Sequence, residues 1–401
     1  MPGDLQAELQ SRLADIEAAS LYRRRYVQAR GHGPVVESDG RRYLNFCSND
    51  YLGLAEHPDL QRAMAESARR HGSGSGASQL ISGHNREHAA LEEAIADFLG
   101  CDRALYFSTG YAANVGTLDA LMGRGDSIVA DALNHASLID GARLSGAAKL
   151  IFPHADLAAA QTQLREASGA GNRLLLSDSV FSMDGDRADL AGLAGLAARH
   201  HAWTMVDDAH GFGVLGDGRG AFTGMRPGQC LDTPAPWPDV YVATLGKAAG
   251  AAGAFVAGSH ALIEYLIQRA RSYVFSTAPP PPVAAAARAG LALLRQEHWR
   301  RDRLRGHIER FRAGARAMGL PLVESQTPIQ PLLLGAPDTA LALSDSLRRQ
   351  GVLVSAIRPP TVPPGTSRLR ITLTAGHDED QIDRLLDVLD VARQPGLRRA
   401  V

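Results

Sequence analysis

The chain has 401 residues, 45% of them hydrophobic, and a formal net charge of −1 at pH 7. That length supports a large core and a second, smaller domain, and the charge balance excludes a broad positive field aimed at nucleic acid or anionic membrane. Three well-separated cysteines, Cys47, Cys101 and Cys230, form no C-x-x-C, which argues against a disulfide framework or zinc knuckle and suits a reducing cytoplasm. The opening MPGDLQAELQ lacks the regions of a signal peptide, and no apolar run approaches the ~20 residues that span a bilayer. The expectation is a soluble, cytoplasmic globular protein.

Taken in order, residues 4–29 read as a helix, with Leu5, Leu9, Leu13, Ile16 and Leu21 at roughly helical spacing. It ends in Arg23, Arg24 and Arg25, which read either as a solvated helix end complementing the dipole or as an anion site for a carboxylate or an acyl carrier. Residues 35–46, VVESDGRRYLNF, read as a hairpin about Asp39-Gly40. A loop, CSNDYLGL, and a helix over 58–70 follow. The Gly/Ser-rich HGSGSGASQLISGH either cradles phosphate through its N–H groups or is a plain connection; it has no Walker lysine. A helix over 87–99 precedes a short strand, 104–107, which turns through Ser-Thr-Gly-Tyr into a helix over 112–121. Gly110 and Tyr111 sit at that turn, which is either an anion site at a helix N-terminus or an ordinary connection.

Strand-like runs recur at 127–130, 149–152, 173–176 and 204–206 with helical patterns between several of them, which predicts an α/β fold with a mainly parallel sheet covered on both faces. Ligands bind such sheets beyond the carboxyl ends of strands. Gly110, His135, Ser182, Asp207, His210, Thr244 and Lys247 all fall at such ends. Four prolines in YVFSTAPPPP mark the passage to a small C-terminal α+β domain. The expected organisation is therefore 1–55 as an N-terminal helix and hairpin segment, 56–282 as the large domain and 283–401 as the small one. In the last of these, a long or broken helical region over 283–318 precedes a strand near 331–334, a helix over 339–350, strands around 353–357 and 368–373, and a helix near 378–393.

The chemistry concentrates in two strand ends. WTMVDDAH ends in Asp207, Asp208 and His210; DVYVATLGKAAG ends in Thr244 and a single lysine, Lys247, set among alanines and glycines. A lysine that acts as a nucleophile must lose its proton, which needs an apolar or electropositive setting; the alternative is a lysine capping a helix or reaching solvent. The G-x-G-x-x-G at Gly211, Gly213 and Gly216 continues as DGRGAFTG, too glycine-rich to open a helix, so the dinucleotide reading fails. Asp207, Asp208 and His210 have no further cluster at metal-ligand spacing, so no metal is expected, and no G-x-S-x-G supports a hydrolase. His135 is either a satisfied core histidine or a ring stacked on a flat ligand. Arg358, Arg368 and Arg370 are either surface charges or carboxylate grips; Arg368 and Arg370 share one strand face.

SNDYLGL, STGYAAN, NHASLIDG, VFSMDGD, VDDAHGFGVLG, TLGKAAG, FSTAPPP and IRPPTVPPGTSRLRITLTA occur in this order. From about Arg23 to the end the chain resembles the α-oxoamine synthases, fold-type I enzymes of pyridoxal 5′-phosphate that condense an amino acid with an acyl thioester and lose carbon dioxide. The resemblance implies that Lys247 holds the cofactor as an imine, Asp207 pairs with the pyridine nitrogen, His210 hydrogen-bonds the ring hydroxyl and His135 stacks on the ring. Gly110, Tyr111 and Thr244 help hold the cofactor, Ser182 lies against it, and Ser276 and Thr277 reach the phosphate of the neighbouring subunit in a homodimer. Arg370 matches the substrate-carboxylate arginine, Arg23 and Thr361 match acyl-substrate contacts, and Asn49 falls in a site segment. Asp178 stands where related enzymes often carry glutamate, which leaves its role open.

The RRRY and IRPPTVPPGT segments most resemble members that join L-alanine to a pimeloyl group carried by coenzyme A or acyl carrier protein. In that chemistry alanine displaces Lys247, which then removes the α-proton; the carbanion expels the thiol, and the β-keto acid decarboxylates. Sister enzymes use glycine or serine with another acyl-CoA. A reading from another class, a non-catalytic binding protein on the same fold, is opposed by the presence of Lys247, Asp207, His210 and His135.

Overall fold

The computed structural model describes residues 4–167, 171–222 and 237–392; Cys230, Arg393 and the end of the DGRGAFTG run lie outside them. Its contacts divide the chain into two compact units. One comprises Asn49–Ser182 with Asp186–Asp302, the other Met1–Ser48, Met183–Gly185 and Arg303–Val401. The hairpin segment thus shares a unit with the C-terminal residues. The proline run opens the helix Pro281–Gln296, which belongs with the larger unit.

The larger unit is built on seven strands in the order Arg103–Phe107, Ala254–Gly258, Val240–Thr244, Trp203–Asp207, Arg173–Asp178, Ser127–Asp131 and Ala148–Phe152. Ala254–Gly258 runs antiparallel to both neighbours; the remaining pairs are parallel. Ala254–Gly258 is apolar and buried at every position, as expected where helices cover both faces, and Ser127–Asp131 is likewise buried throughout, its polar ends included. The edge strand Ala148–Phe152 instead exposes Lys149 and Ile151, and an edge lysine discourages pairing with other chains. The core packs Leu105, Phe107, Leu118, Ile128, Leu174, Leu176, Met205 and Val242 together.

In the smaller unit the expected hairpin forms. Val35–Ser38 and Arg41–Asn45 pair antiparallel, with Asp39 and Gly40 both at positive φ, 53° and 69°. That geometry matches the twist of the flanking strands. The hairpin joins Gln28–Arg30 and Val352–Leu353 in a four-stranded sheet, while Ile329–Gly335, Ser367–Thr372 and Ser355–Ile357 make a second sheet of three.

One helix is shorter than its spacing predicts. It runs over Leu5–Ala18, buries none of its residues, and ends before Ser20, whose φ is 57°. With Leu5, Leu9, Leu13 and Ile16 exposed, no packing within this unit prolongs it. Arg23, Arg24 and Arg25 therefore lie in irregular chain between this helix and the strand Gln28–Arg30 and do not cap a helix. Among the described residues no helix is long and apolar enough to cross a membrane.

A charged staple ties two strand-end segments of the larger unit. His154 Nδ1 lies 3.0 Å from Asp131, at the end of its strand, and Nε2 lies 2.8 Å from Asp186. Burial pulls the imidazole pKa down, but the hydrogen bonds and charges of the two carboxylates outweigh it and push it up to about 10. The folded value thus exceeds the ordinary ~6.5, so this stabilisation is complete below about pH 6.5 and is lost as pH rises through 10. His154→Gln should cost about 1–3 kcal/mol at pH 6. In urea unfolding at several pH values, the gap between the two proteins should close above pH 10; a gap independent of pH would show that His154 is not held as the cation.

Candidate active site

Lys247 stands in a tight turn after the strand Val240–Thr244, not at the end of a helix. Leu245 N–H donates to Gly253 O at 2.9 Å, Ala251 N–H to Leu245 O at 2.9 Å, and Gly250 N–H to Lys247 O at 2.9 Å. Thr244 Oγ1 seals the turn by donating to Gly253 O at 2.9 Å and accepting from Gly246 N–H at 3.2 Å. Gly250 has φ 70°, and a Cβ there would come within 2.6 Å of Leu54 atoms, so only glycine fits. Ala248 and Ala249 are buried.

The lysine amine meets the neighbouring strand end. Lys247 Nζ lies 2.9 Å from His210 Nε2, and His210 Nδ1 lies 2.6 Å from the hydroxyl of Tyr51, a fully buried side chain. Tyr51 Oη is also 3.3 Å from Asn49 Oδ1. Tyr51 belongs to SNDYLGL, but nothing in the sequence set it apart from its neighbours.

A second network runs from Asp207 to His135. Asp207 accepts from Ala209 N–H at 2.9 Å and from Asn114 Nδ2 at 2.6 Å; Asn114 Nδ2 also donates to Ser137 Oγ at 2.9 Å. Ser137 Oγ is 2.7 Å from His135 Nδ1, and Ser137 N–H donates to the same nitrogen at 3.2 Å. With Nδ1 an acceptor, the neutral ring carries its hydrogen on Nε2. Burial lowers the His135 pKa, against Asp207 and with Lys247, so the ring is uncharged near neutrality. Asn114 and Ser137 were missed because uncharged residues inside a helix carry no spacing signal of their own.

Asp178 holds the backbone of this network. Its Oδ2 accepts from His135 N–H at 2.7 Å, and its own N–H donates to Asn134 Oδ1 at 3.1 Å. Burial raises its pKa well above the ordinary range, and Asp207 adds to the shift, while His135 N–H and Lys247 oppose it.

Asp207 and Asp208 do different work. Asp208 is fully buried and accepts from the Tyr241 hydroxyl at 2.7 Å, from Ala221 N–H at 2.8 Å and from the Ser179 hydroxyl. Burial raises it to about 6, against the pull of these donors. Among the described residues no group of three or more His, Cys, Asp or Glu is placed to hold a metal. The G-x-G-x-x-G residues run into a short 3₁₀ turn, Gly216–Gly218, and among the described residues no α-helix opens there.

The other candidates are distributed as follows. Gly110 opens the helix Gly110–Leu121, which Thr109 caps by accepting from Ala112 N–H at 3.0 Å; the exposed Tyr111 donates its hydroxyl to Asp140. Ser182 is half-buried. Ser276 is half-buried and Thr277 exposed, next to an exposed Phe275, and Thr277 forms a backbone bridge to Ser78.

In the smaller unit Arg23 Nη2 donates to Thr361 Oγ1 at 3.2 Å, and Arg358 donates to the carbonyls of Ser20 and Tyr22. Arg368 and Arg370 are only 4% and 6% exposed, so the surface-charge reading fails for both. Arg368 is committed to Asp184 and to the carbonyls of Met183 and Thr366. Arg370 donates to Thr372 Oγ1 at 3.0 Å and lies close enough to Cys47 to oppose the rise that burial imposes on that thiol.

A mainly parallel sheet with a lysine, an aspartate and a neutral histidine at its strand ends defines the fold-type I enzymes of pyridoxal phosphate. The donor set fits that group: an amine on a turn of small residues, a buried carboxylate and an uncharged imidazole. Residues 41–389 match the family model for aminotransferase class I and II. The chain is 53% identical over 374 residues to 8-amino-7-oxononanoate synthase of Nitrosococcus oceani, covering 93% of this chain and 97% of that one. Among solved structures, serine palmitoyltransferase from S. paucimobilis with bound PLP-myriocin aldimine superposes with a TM-score of 0.90 at 29% identity, over 97% of this chain and 98% of that one. 8-Amino-7-oxononanoate synthase from Francisella tularensis superposes at 0.73 with 32% identity, over 87% and 97%. The chain belongs to the 8-amino-7-oxononanoate synthases of this aminotransferase family.

The two adjacent aspartates should separate in their effects. Asp208→Asn turns an amide donor toward a hydroxyl or an N–H that needs an acceptor, and should cost about 2–4 kcal/mol in urea unfolding. Asp207→Asn should keep most of the stability but lose retention of pyridoxal phosphate, read by absorbance after gel filtration. Equal stability of Asp208→Asn and the parent would contradict the structural role of Asp208.

Proposed function

We propose that this protein condenses L-alanine with a pimeloyl thioester to give 8-amino-7-oxononanoate, carbon dioxide and the free thiol, a step of biotin synthesis. A carbon–carbon bond forms at the alanine α-carbon, and the C–S bond and the bond to the carboxylate break. The observation that carries the reading is the Lys247–His210 contact at 2.9 Å, at the end of the strand next to the one that ends in Asp207. The enzyme is a pyridoxal-phosphate-dependent acyltransferase.

Pyridoxal phosphate, when bound, supplies an aldehyde that takes up amines and a protonated ring that draws off electron density. Asp207, fixed by Asn114 and Ala209 N–H, offers a carboxylate to the ring nitrogen. His135 presents a flat neutral ring, and His210 presents a hydrogen-bonding nitrogen. Gly110, Tyr111, Ser182 and Thr244 complete the cofactor's surroundings. Lys247 Nζ accepts the alanine α-proton and later returns one. Arg370, a buried guanidinium, grips the amino-acid carboxylate, with Asn49 nearby in role. Arg23 and Thr361 receive the acyl substrate. The exposed Arg23, Arg24 and Arg25 suit an anionic carrier, either the phosphates of coenzyme A or an acidic face of acyl carrier protein.

A homodimer completes each site, with Ser276 and Thr277 of one copy reaching the phosphate held by the other. The exposed Phe275 beside them supports an interface there. Cys47 and Cys101 are free thiols, in keeping with a cytoplasmic setting.

Thiol release from pimeloyl-CoA should depend on alanine and resist competition by glycine and serine. Preferential turnover of glycine or serine would move the protein to a sister activity. Arg370→Ala should raise the KM for alanine roughly tenfold to a hundredfold, with a smaller change in KM for the thioester.

Shared sites have their own signature. Lys247→Ala and a Ser276→Ala/Thr277→Ala double variant, each weak or inactive alone, should regain activity when unfolded together and refolded, because a mixed dimer holds one intact site. No recovery would place Ser276 and Thr277 outside the partner's site.

A further inference from the structure

We propose that Tyr51 is a positioning residue whose hydroxyl, acting through His210, sets whether Lys247 carries its proton; the proposal rests on Lys247 as the working amine of the preceding section. Three groups form a line: Tyr51 Oη to His210 Nδ1 at 2.6 Å, then His210 Nε2 to Lys247 Nζ at 2.9 Å. Asn49 Oδ1, 3.3 Å from Tyr51 Oη, offers that hydroxyl a second acceptor. A neutral imidazole has one N–H and one lone pair, so a hydrogen at one nitrogen dictates an acceptor at the other.

Two arrangements follow. When Tyr51 turns its hydrogen to Asn49, its oxygen receives Nδ1–H, and the Nε2 lone pair accepts from a lysine ammonium. When Tyr51 gives its hydrogen to Nδ1, Nε2 carries the ring hydrogen and donates to a neutral amine. Passing from the first to the second lets Nε2 take a proton from the ammonium as Nδ1 gives one up to solvent, so that one proton leaves the line, the ring changes tautomer, and the hydroxyl turns from Asn49 to Nδ1, leaving the uncharged lysine that the chemistry needs. The tyrosine is 0% exposed, so water does not blur the choice.

Other charged groups around the line stay constant when the hydroxyl alone is removed. Asp178 and His135 both interact electrostatically with Lys247, and Asp207 with His135. Asp50, next to Tyr51, accepts from Leu54 and Ala55 N–H at 2.9 and 3.0 Å and feels Arg300 and Glu56.

Tyr51→Phe keeps the ring and deletes the oxygen that receives Nδ1–H. It also deletes the donor to the Nδ1 lone pair in the other arrangement, but a buried N–H left without an acceptor costs more than an unfilled lone pair, so the arrangement that supports the ammonium suffers more and Lys247 should shed its proton more readily. The chain has just two lysines, and Lys149, exposed on the edge strand, is an internal standard. Competitive acylation of the cofactor-free protein with acetic anhydride across pH, read peptide by peptide in a mass spectrometer, gives a midpoint for each. The Lys247 midpoint should fall by about one pH unit in Tyr51→Phe while that of Lys149 stays put. An unchanged Lys247 midpoint overturns the proposal.

A second measurement needs no variant that might misfold. In the parent protein labelled with ¹⁵N-histidine, the His210 ring nitrogens should exchange donor and acceptor character in step with the Lys247 titration; a fixed tautomer across that range overturns the proposal. Lys247→Ala, assayed in parallel for thiol release, tests the underlying reading separately: retained turnover there removes Lys247 as the working amine whatever the labelling shows.

Discussion

Two buried carboxylates, Asp178 and Asp207, lie opposite each other at the carboxyl ends of adjacent parallel strands. Like charges that close in a poorly polarisable interior repel strongly, and the repulsion is tolerable only when each has its own donors. The surrounding residues meet that constraint one by one. His135 N–H serves Asp178; Asn114 and Ala209 N–H serve Asp207. The shift of Asp178 toward its protonated form relieves the rest. Once these donors are in place, the position of His135, the tautomer of its ring and the orientation of Ser137 follow without further choice.

Much of this was legible because strand ends announce themselves. Apolar β-branched runs stop where polar residues begin, so Asp207, His210, Thr244 and Lys247 could be placed beyond a parallel sheet before any geometry was known. The hairpin at Asp39-Gly40 was readable for a similar reason, since only certain residues accept two successive left-handed positions. The residues that were not legible are those whose work is done sideways. Asn114 and Ser137 lie in helices and act on neighbours 93 and 2 residues away, respectively, and neither carries a charge that would mark it.

Arg368 and Arg370 show a different limit. Alternation puts both on one face of a strand, and nothing in the sequence says which is already engaged. The structure gives them different partners, Asp184 for Arg368, 184 residues distant, and Thr372 for Arg370. The early helix failed for want of a partner: helical spacing of leucines says that a face exists, while its persistence to Ala29 needs something to bury it against. The proline run likewise marked a real change of conformation, the start of a helix, whereas the division into units follows contacts that lie 20 residues later.

The doublet Asp207-Asp208 has a consequence for how this chain can vary. Asp207 ends its strand and accepts from Asn114 and Ala209 N–H, while its neighbour Asp208 ties Ser179, Ala221 and Tyr241 together. Loss or gain of a single residue within Trp203–Asp207 would exchange the two sets of partners at a stroke. Length variation should therefore be barred from this strand yet tolerated in the turns that precede it. The pair works as a reading frame: its meaning survives substitution of nearby apolar residues but not a shift by one.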